Sequence, residues 1–147
     1  MLVALLAGLG ITAILQLWFG TLAGSYLLNS LVVSLGVAAI GAFIFGLEAV
    51  LGFVGLGLGG ATMLLLGNSF SALGGAPELL PSSWGAFGQL LPPGAFGTLL
   101  RSVAFFDGAG WQTPTLTLGV WVVAGLSLVI VGSAQRRRSL PVGAQAA

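Results

Sequence analysis

Four stretches of the chain, residues 2–19, 26–45, 47–66 and 115–131, are filled almost entirely by apolar side chains. A run of about 20 apolar residues is what a helix needs to cross a hydrocarbon core about 30 Å thick, so the pattern predicts four membrane-spanning helices. Thr12 and Gln16 are the polar members of the first stretch, and Asn29, Ser30 and Ser34 those of the second. The glycine-rich segment GTLAGS at 20–25 reads as the turn between them. Gly46 and Glu48 then interrupt the hydropathy and predict a tight turn that makes a helical hairpin of the second and third spans. Pro114 stands at a favoured first-turn position for the fourth.

Residues 82–106, SSWGAFGQLLPPGAFGTLLRSVAFF, are as apolar but carry a different period. Trp84, Phe87, Leu90 and Leu91 fall on one helical face, Pro92 and Pro93 break the helix, and Phe96, Leu99, Leu100 and Val103 repeat the face afterwards. Each arm of eight to ten residues would be roughly 12 to 15 Å long, too short to cross. The pattern predicts a two-armed helical hairpin that enters and leaves by one face of the membrane, re-entrant or interfacial. The segment GNSFSALGGAPELLP before it supplies turn residues and carries Glu78. The fold class expected is therefore all-α, an integral membrane helical bundle of four transmembrane helices plus an outer hairpin.

Composition agrees with that class. The chain has 147 residues, 57% hydrophobic and 5% charged, with a mean hydropathy of +1.12, whereas a soluble domain carries about 25% charged residues. Its charges are unevenly placed. Arg136, Arg137 and Arg138 follow the fourth span and predict a cytoplasmic C-terminus, and hence a cytoplasmic N-terminus, with the hairpin outside. Trp18, Tyr26, Trp84 and Trp111 map to the outer interface on this topology. The expected organisation is a transmembrane domain over 1–132 and a basic, unstructured cytoplasmic tail over 133–147. The arginine cluster serves as topology anchor and touches anionic lipid at roughly 1 kcal/mol per residue.

Candidate chemistry is sparse. With no cysteine and no histidine in the chain, thiolate chemistry and a histidine-based metal site or general base are excluded. There is no catalytic triad, no workable carboxylate pair, no phosphate loop with a lysine and no basic stripe for nucleic acid, so neither an enzyme, a cofactor nor a nucleic-acid partner is expected. The run from Gly55 to Gly60 matches GxGxxG, but inside an apolar span it lacks the preceding strand and aqueous pyrophosphate site of a dinucleotide fold. Gly52, Gly55 and Gly59 read instead as a close helix-packing face, with Gly36 and Gly41 as a facing surface. Glu48 reads as a solvated turn residue, and Arg101 and Asp107 as outer charges beside the hairpin.

The order of three closely connected spans, an outer broken hairpin, a last span and a basic tail resembles the C-terminal part of ABC type-2 permeases. The wording LLLGNSFSALGGAPELLPSSWGAFGQLLPPGAFGTLLRSVAFFDGAG also resembles phage-infection-protein-like bacterial membrane proteins, most specifically around Pro92 and Pro93. The resemblance implies a permease-type subunit that helps export an apolar or amphipathic substrate across the bacterial inner membrane. It implies a homodimer or a second membrane subunit, with any ATP hydrolysis in a separate chain. It also makes Trp84, Pro92, Pro93, Arg101 and Asp107 the candidate gate. The alternative expectation is a membrane scaffold or assembly protein that transports nothing.

Overall fold

The computed structural model describes residues 1–67 and 84–139, and every regular element among them is helical. Helix α1, Leu2–Thr12, continues as a π-helical turn, Ala13–Trp18. Helix α2 is Tyr26–Leu51. Helix α3, Phe53–Ala61, again runs on into a π turn, Thr62–Gly67. The hairpin arms are α4, Trp84–Leu90, and α5, Pro92–Phe105, and the last helix is α6, Gln112–Ser139. Helix α2 is the hub and packs against α1, α3, α5 and α6.

Two helices, α2 and α6, are long and apolar enough to cross a membrane. The first and third expected spans are shorter apolar helices, Leu2–Trp18 and Phe53–Leu65. The reversal between α2 and α3 is not at Gly46–Glu48. Helix α2 runs through both residues and ends at Gly52, whose φ of 68° and ψ of −148° lie where only glycine sits without strain. Gly46 misleads as a turn signal because it serves packing: a methyl there would meet the Gly125 carbonyl oxygen and the Leu128 side chain of α6. The basic segment is also not an unstructured tail up to Ser139. Helix α6 extends that far and carries Arg136, Arg137 and Arg138, since glutamine and arginine are good helix formers. Residues 140–147 and the segment 68–83, with Glu78, lie outside the described residues.

Register follows from the contacts. On α1 and α2, Gly8 meets Ser30 and Ser34 while Gln16 meets Asn29, so the two helices are antiparallel. Gly55 meets Leu47 and Gly59 meets Ile44, so α3 also runs against α2. Helix α6 runs with it: Gly125 lies on Ala42 and Gly132 on Ala49. Ala42, Gly46 and Ala49 on α2 thus face Gly125 and Gly132 on α6, and a side-chain atom added at either glycine of α6 would strike α2 backbone. Such small residues let two helices approach to main-chain contact, where dispersion acts over a long seam. The larger side chains of the core, Val32, Leu99 and Leu118 with Ala39 and Ala95, gather where α2, α5 and α6 meet.

Burial is inverted relative to a water-soluble fold. Asn29, Thr12, Ser30 and Ser34 are buried, while Leu116, Val120, Val123 and Ile130 along α6 are all at least 65% exposed. Soluble monomers rarely expose continuous apolar surface on this scale, and the arrangement suits an apolar surrounding.

A substitution pair tests the seam. Gly125→Leu should destabilise the helical state in detergent by about 1–3 kcal/mol, the usual cost of overpacking. Gly57→Leu, at an exposed position with open space around it, should leave the thermal midpoint nearly unchanged; equal effects would contradict the packing described.

Candidate functional site

Two features at one end of the bundle concentrate the polar and irregular structure: the hairpin and a buried amide clamp. The hairpin breaks where the residue before a proline is driven out of the helical region. Leu91 has φ −89° and ψ 146°, and Pro92 opens α5. The arms lie against each other, since Gly94 leaves no room for a side chain beside the Gly88 carbonyl and Thr98 Oγ1 donates to Gln89 Oε1 at 2.5 Å.

The tip is the buried part. Leu91, Pro92, Pro93, Gly94 and Ala95 are all buried, whereas Phe105 and Phe106 at the far end of α5 are exposed. Phe96 lies against Gly36 in the middle of α2, and the Val103–Ala104 backbone lies against Gly24, just before α2 begins. Between those levels α5 descends antiparallel to α2, by about 11 Å at 1.5 Å per residue. Trp121 holds the tip from the other side by donating its Nε1–H to the Leu90 carbonyl at 2.8 Å, and its ring meets Phe43 edge-on at 4.9 Å. Gly36 therefore faces the hairpin and not α3. Gly41, with only the Phe45 ring within 4 Å, faces neither.

The amide clamp joins α1, the 19–25 turn and α2. Asn29 Nδ2 donates to Gln16 Oε1 at 3.0 Å and to the Ala23 carbonyl at 2.8 Å, while Gln16 Nε2 donates to the Gly24 carbonyl at 2.9 Å. Gln16 lies inside the π turn of α1. Asn29 is fully buried, and with both its N–H groups committed to carbonyl oxygens, its own Oδ1 has no partner among the described residues. Thr12 Oγ1 and Ser30 Oγ stand likewise. Thr12 lies on α1 between Gly8, which meets Ser30 and Ser34, and Gln16, which meets Asn29. The polar side chains of the α1–α2 interface are amides and hydroxyls, among them the Tyr26 phenol, which donates to the Leu9 carbonyl at 2.9 Å, a setting for hydrogen bonding.

Of the gate candidates, Pro92 and Pro93 form the buried tip and Arg101 is half-buried on α5. Asp107 is exposed in the turn after it, with φ 49°. Trp84 begins α4, and its side chain lies outside the description. Gly55 and Gly59 are the buried glycines of α3 that lie on α2, whereas Gly52 has no neighbour there and forms the reversal. Glu48 sits half-buried in the last turn of α2, not in a loop. At that far end Arg136 Nη2 donates to the Glu48 carbonyl at 2.9 Å, a cation bonded at the C-terminus of a helix. Among the described residues no cluster of acids could hold a metal ion.

No protein-family model, curated protein or solved structure matches this chain.

Sequence reasoning singled out the hairpin and missed the clamp. Asn29 and Gln16 were visible as polar residues within apolar stretches, which is the one signal that could have found it. Asn29→Ala should cost about 1–3 kcal/mol by leaving Gln16 Oε1 and the Ala23 carbonyl without their donor. Leu28→Ala, at an exposed neighbouring position, should change the thermal midpoint in detergent far less.

Proposed function

We propose that the chain is a multi-pass membrane subunit of permease type, in which α1, α2, α3 and α6 cross the bilayer and the α4–α5 hairpin closes the outer end of a path for an apolar or amphipathic substrate. The observation that carries this reading is the hairpin itself. Its proline tip is buried at mid-length between two parallel helices of spanning length, and the exposed end of α5 lies near the start of α2. That is the geometry of a plug inserted from one side. The parallel course of α2 and α6 is what a second and a fourth crossing require, with α1 and α3 running the opposite way as the first and third.

Orientation follows from the two ends. Trp18, Tyr26 and Trp111 lie at the end of the clamp and hairpin base, and Arg136 and Arg137 lie at the other. Aromatic rings favour the headgroup level and arginines the cytoplasmic side, so the hairpin faces outward. Opening is a rearrangement of packed helices with no covalent step. Its energy comes from a separate subunit, as the resemblance to ABC type-2 permeases implies. A homodimer or a second membrane chain completes the path.

An impermeant thiol reagent should label Ala109→Cys on intact cells and Arg137→Cys only after permeabilisation; the reverse pattern would overturn the orientation. Trp121→Phe removes the donor to Leu90 and keeps an aromatic ring. In cells holding the native partners it should change efflux of amphipathic dyes several-fold at unchanged protein level. If deleting the chain leaves efflux intact but lowers the amount of a partner protein, the scaffold reading replaces this one.

A further inference from the structure

The described surface also carries a cleft at the end of the bundle opposite the hairpin base. It has a volume of about 280 Å³ and is bordered by Ala4 of α1, Val37, Gly41 and Phe45 of α2, and Leu126 and Val129 of α6. Its floor is low because Gly41 offers no side chain, and its walls are apolar. The cleft alone would say nothing about its occupant.

Its end does. Arg136 lies seven residues beyond Val129 on α6, two helical turns and about 10 Å along the same face. The Arg136 guanidinium is drawn over α2 by its bond to the Glu48 carbonyl, one turn past Phe45. A guanidinium has five N–H donors and matches phosphate oxygens with two of them at once, so the bond to Glu48 leaves it able to hold an anion. The apolar lining of the cleft stops at Phe45 and Val129, and a positioned guanidinium follows about 10 Å farther along the same face of α6, an arrangement complementary to an amphiphile with an anionic head.

We infer that this cleft binds one acyl chain of an anionic membrane phospholipid, whose phosphate is held by Arg136. The inference rests on the membrane reading above but not on transport. It distinguishes Arg136 from Arg137, which is a neighbour in sequence but points about 100° away around the helix. General attraction of a basic helix end for anionic lipid would treat the two alike.

The test measures lipid retained by the purified full chain in detergent, by native mass spectrometry, after titration with phosphatidylglycerol or phosphatidylcholine of identical chains. Wild type should retain one phosphatidylglycerol in preference to phosphatidylcholine. Arg136→Gln should reduce that preference about fivefold, the factor one cation near a lipid surface carries, while Arg137→Gln leaves it nearly intact. Gly41→Leu fills the cleft from its floor, where only the Phe45 ring is near, and should abolish the retained lipid of either type. Circular dichroism and elution volume check that each variant remains folded. Equal retention of the two lipids by wild type, equal losses in the two arginine variants, or undiminished retention in Gly41→Leu would each overturn the site. Dye export left unchanged by deletion of the chain, with lipid retention intact in the purified protein, would count against the transport reading alone.

Discussion

The main-chain contact between α2 and α6 is the constraint on which the other elements depend. Ala42, Gly46 and Ala49 meet Gly125 and Gly132 so closely that neither glycine of α6 could gain a side chain without displacing α2 backbone. Apart from Leu128, which lies against Gly46, the large apolar side chains of α6 point elsewhere, inward at Leu118 and outward at Val120, Val123 and Ile130. The seam also fixes depth. Because α2 and α6 are parallel and locked in register, Gly36 and Trp121 come to similar levels, and the hairpin tip is held between them. At the other end the same register brings Arg136 to the carbonyl of Glu48. In an apolar solvent, where the hydrophobic effect gives helices no reason to associate, close packing and a few internal hydrogen bonds are the forces left.

Those few hydrogen bonds divide the bundle functionally. Ser34, Thr115, Thr117 and Ser127 return their hydroxyls to carbonyls of their own helices and tie nothing together. Gln16, Asn29, Trp121 and Arg136 instead bridge separate elements. Gln16 and Asn29 fasten α1 and the 19–25 turn at the hairpin-base end, Trp121 holds the tip, and Arg136 closes the opposite end. The hairpin is held by that indole bond, by the Phe96 ring against Gly36 and by Ala95 and Leu99 in the core, whereas the α2–α6 seam rests on main-chain contact.

What could be read from the sequence follows the range of the forces involved. The hairpin break was legible because proline acts on its immediate neighbour through sterics, and Leu91 takes the extended conformation that this requires. The helix reversal was misplaced because glycine in an apolar stretch has two meanings. Gly46 is a contact and Gly52 a turn, and only the partner helix distinguishes them. Helix α6 runs past Val131 because hydropathy reports where apolar residues stop, not where helical hydrogen bonds do. The π turns at Ala13–Trp18 and Thr62–Gly67 left no local signature. The clamp was half legible: Gln16 and Asn29 stood out by polarity, but their meeting depends on the antiparallel register of α1 and α2, which no local pattern encodes.

The buried proline tip poses the hardest physical question, and its answer shows why Trp121 belongs to the site. A helix end turns carbonyls outward without partners, and a following pair of prolines supplies no N–H to meet them. Such a tip belongs in water, yet Pro92 is fully enclosed. Two donors resolve the conflict: the Leu91 N–H reaches the Gly88 carbonyl at 3.2 Å, and the Trp121 indole reaches the Leu90 carbonyl at 2.8 Å. The second comes from a different helix, so the tip is satisfied only while it is docked on α6. Withdrawing it would expose the Leu90 carbonyl and the indole N–H together, and in a dry surrounding each would carry an unpaired polar group's cost of about 1–3 kcal/mol.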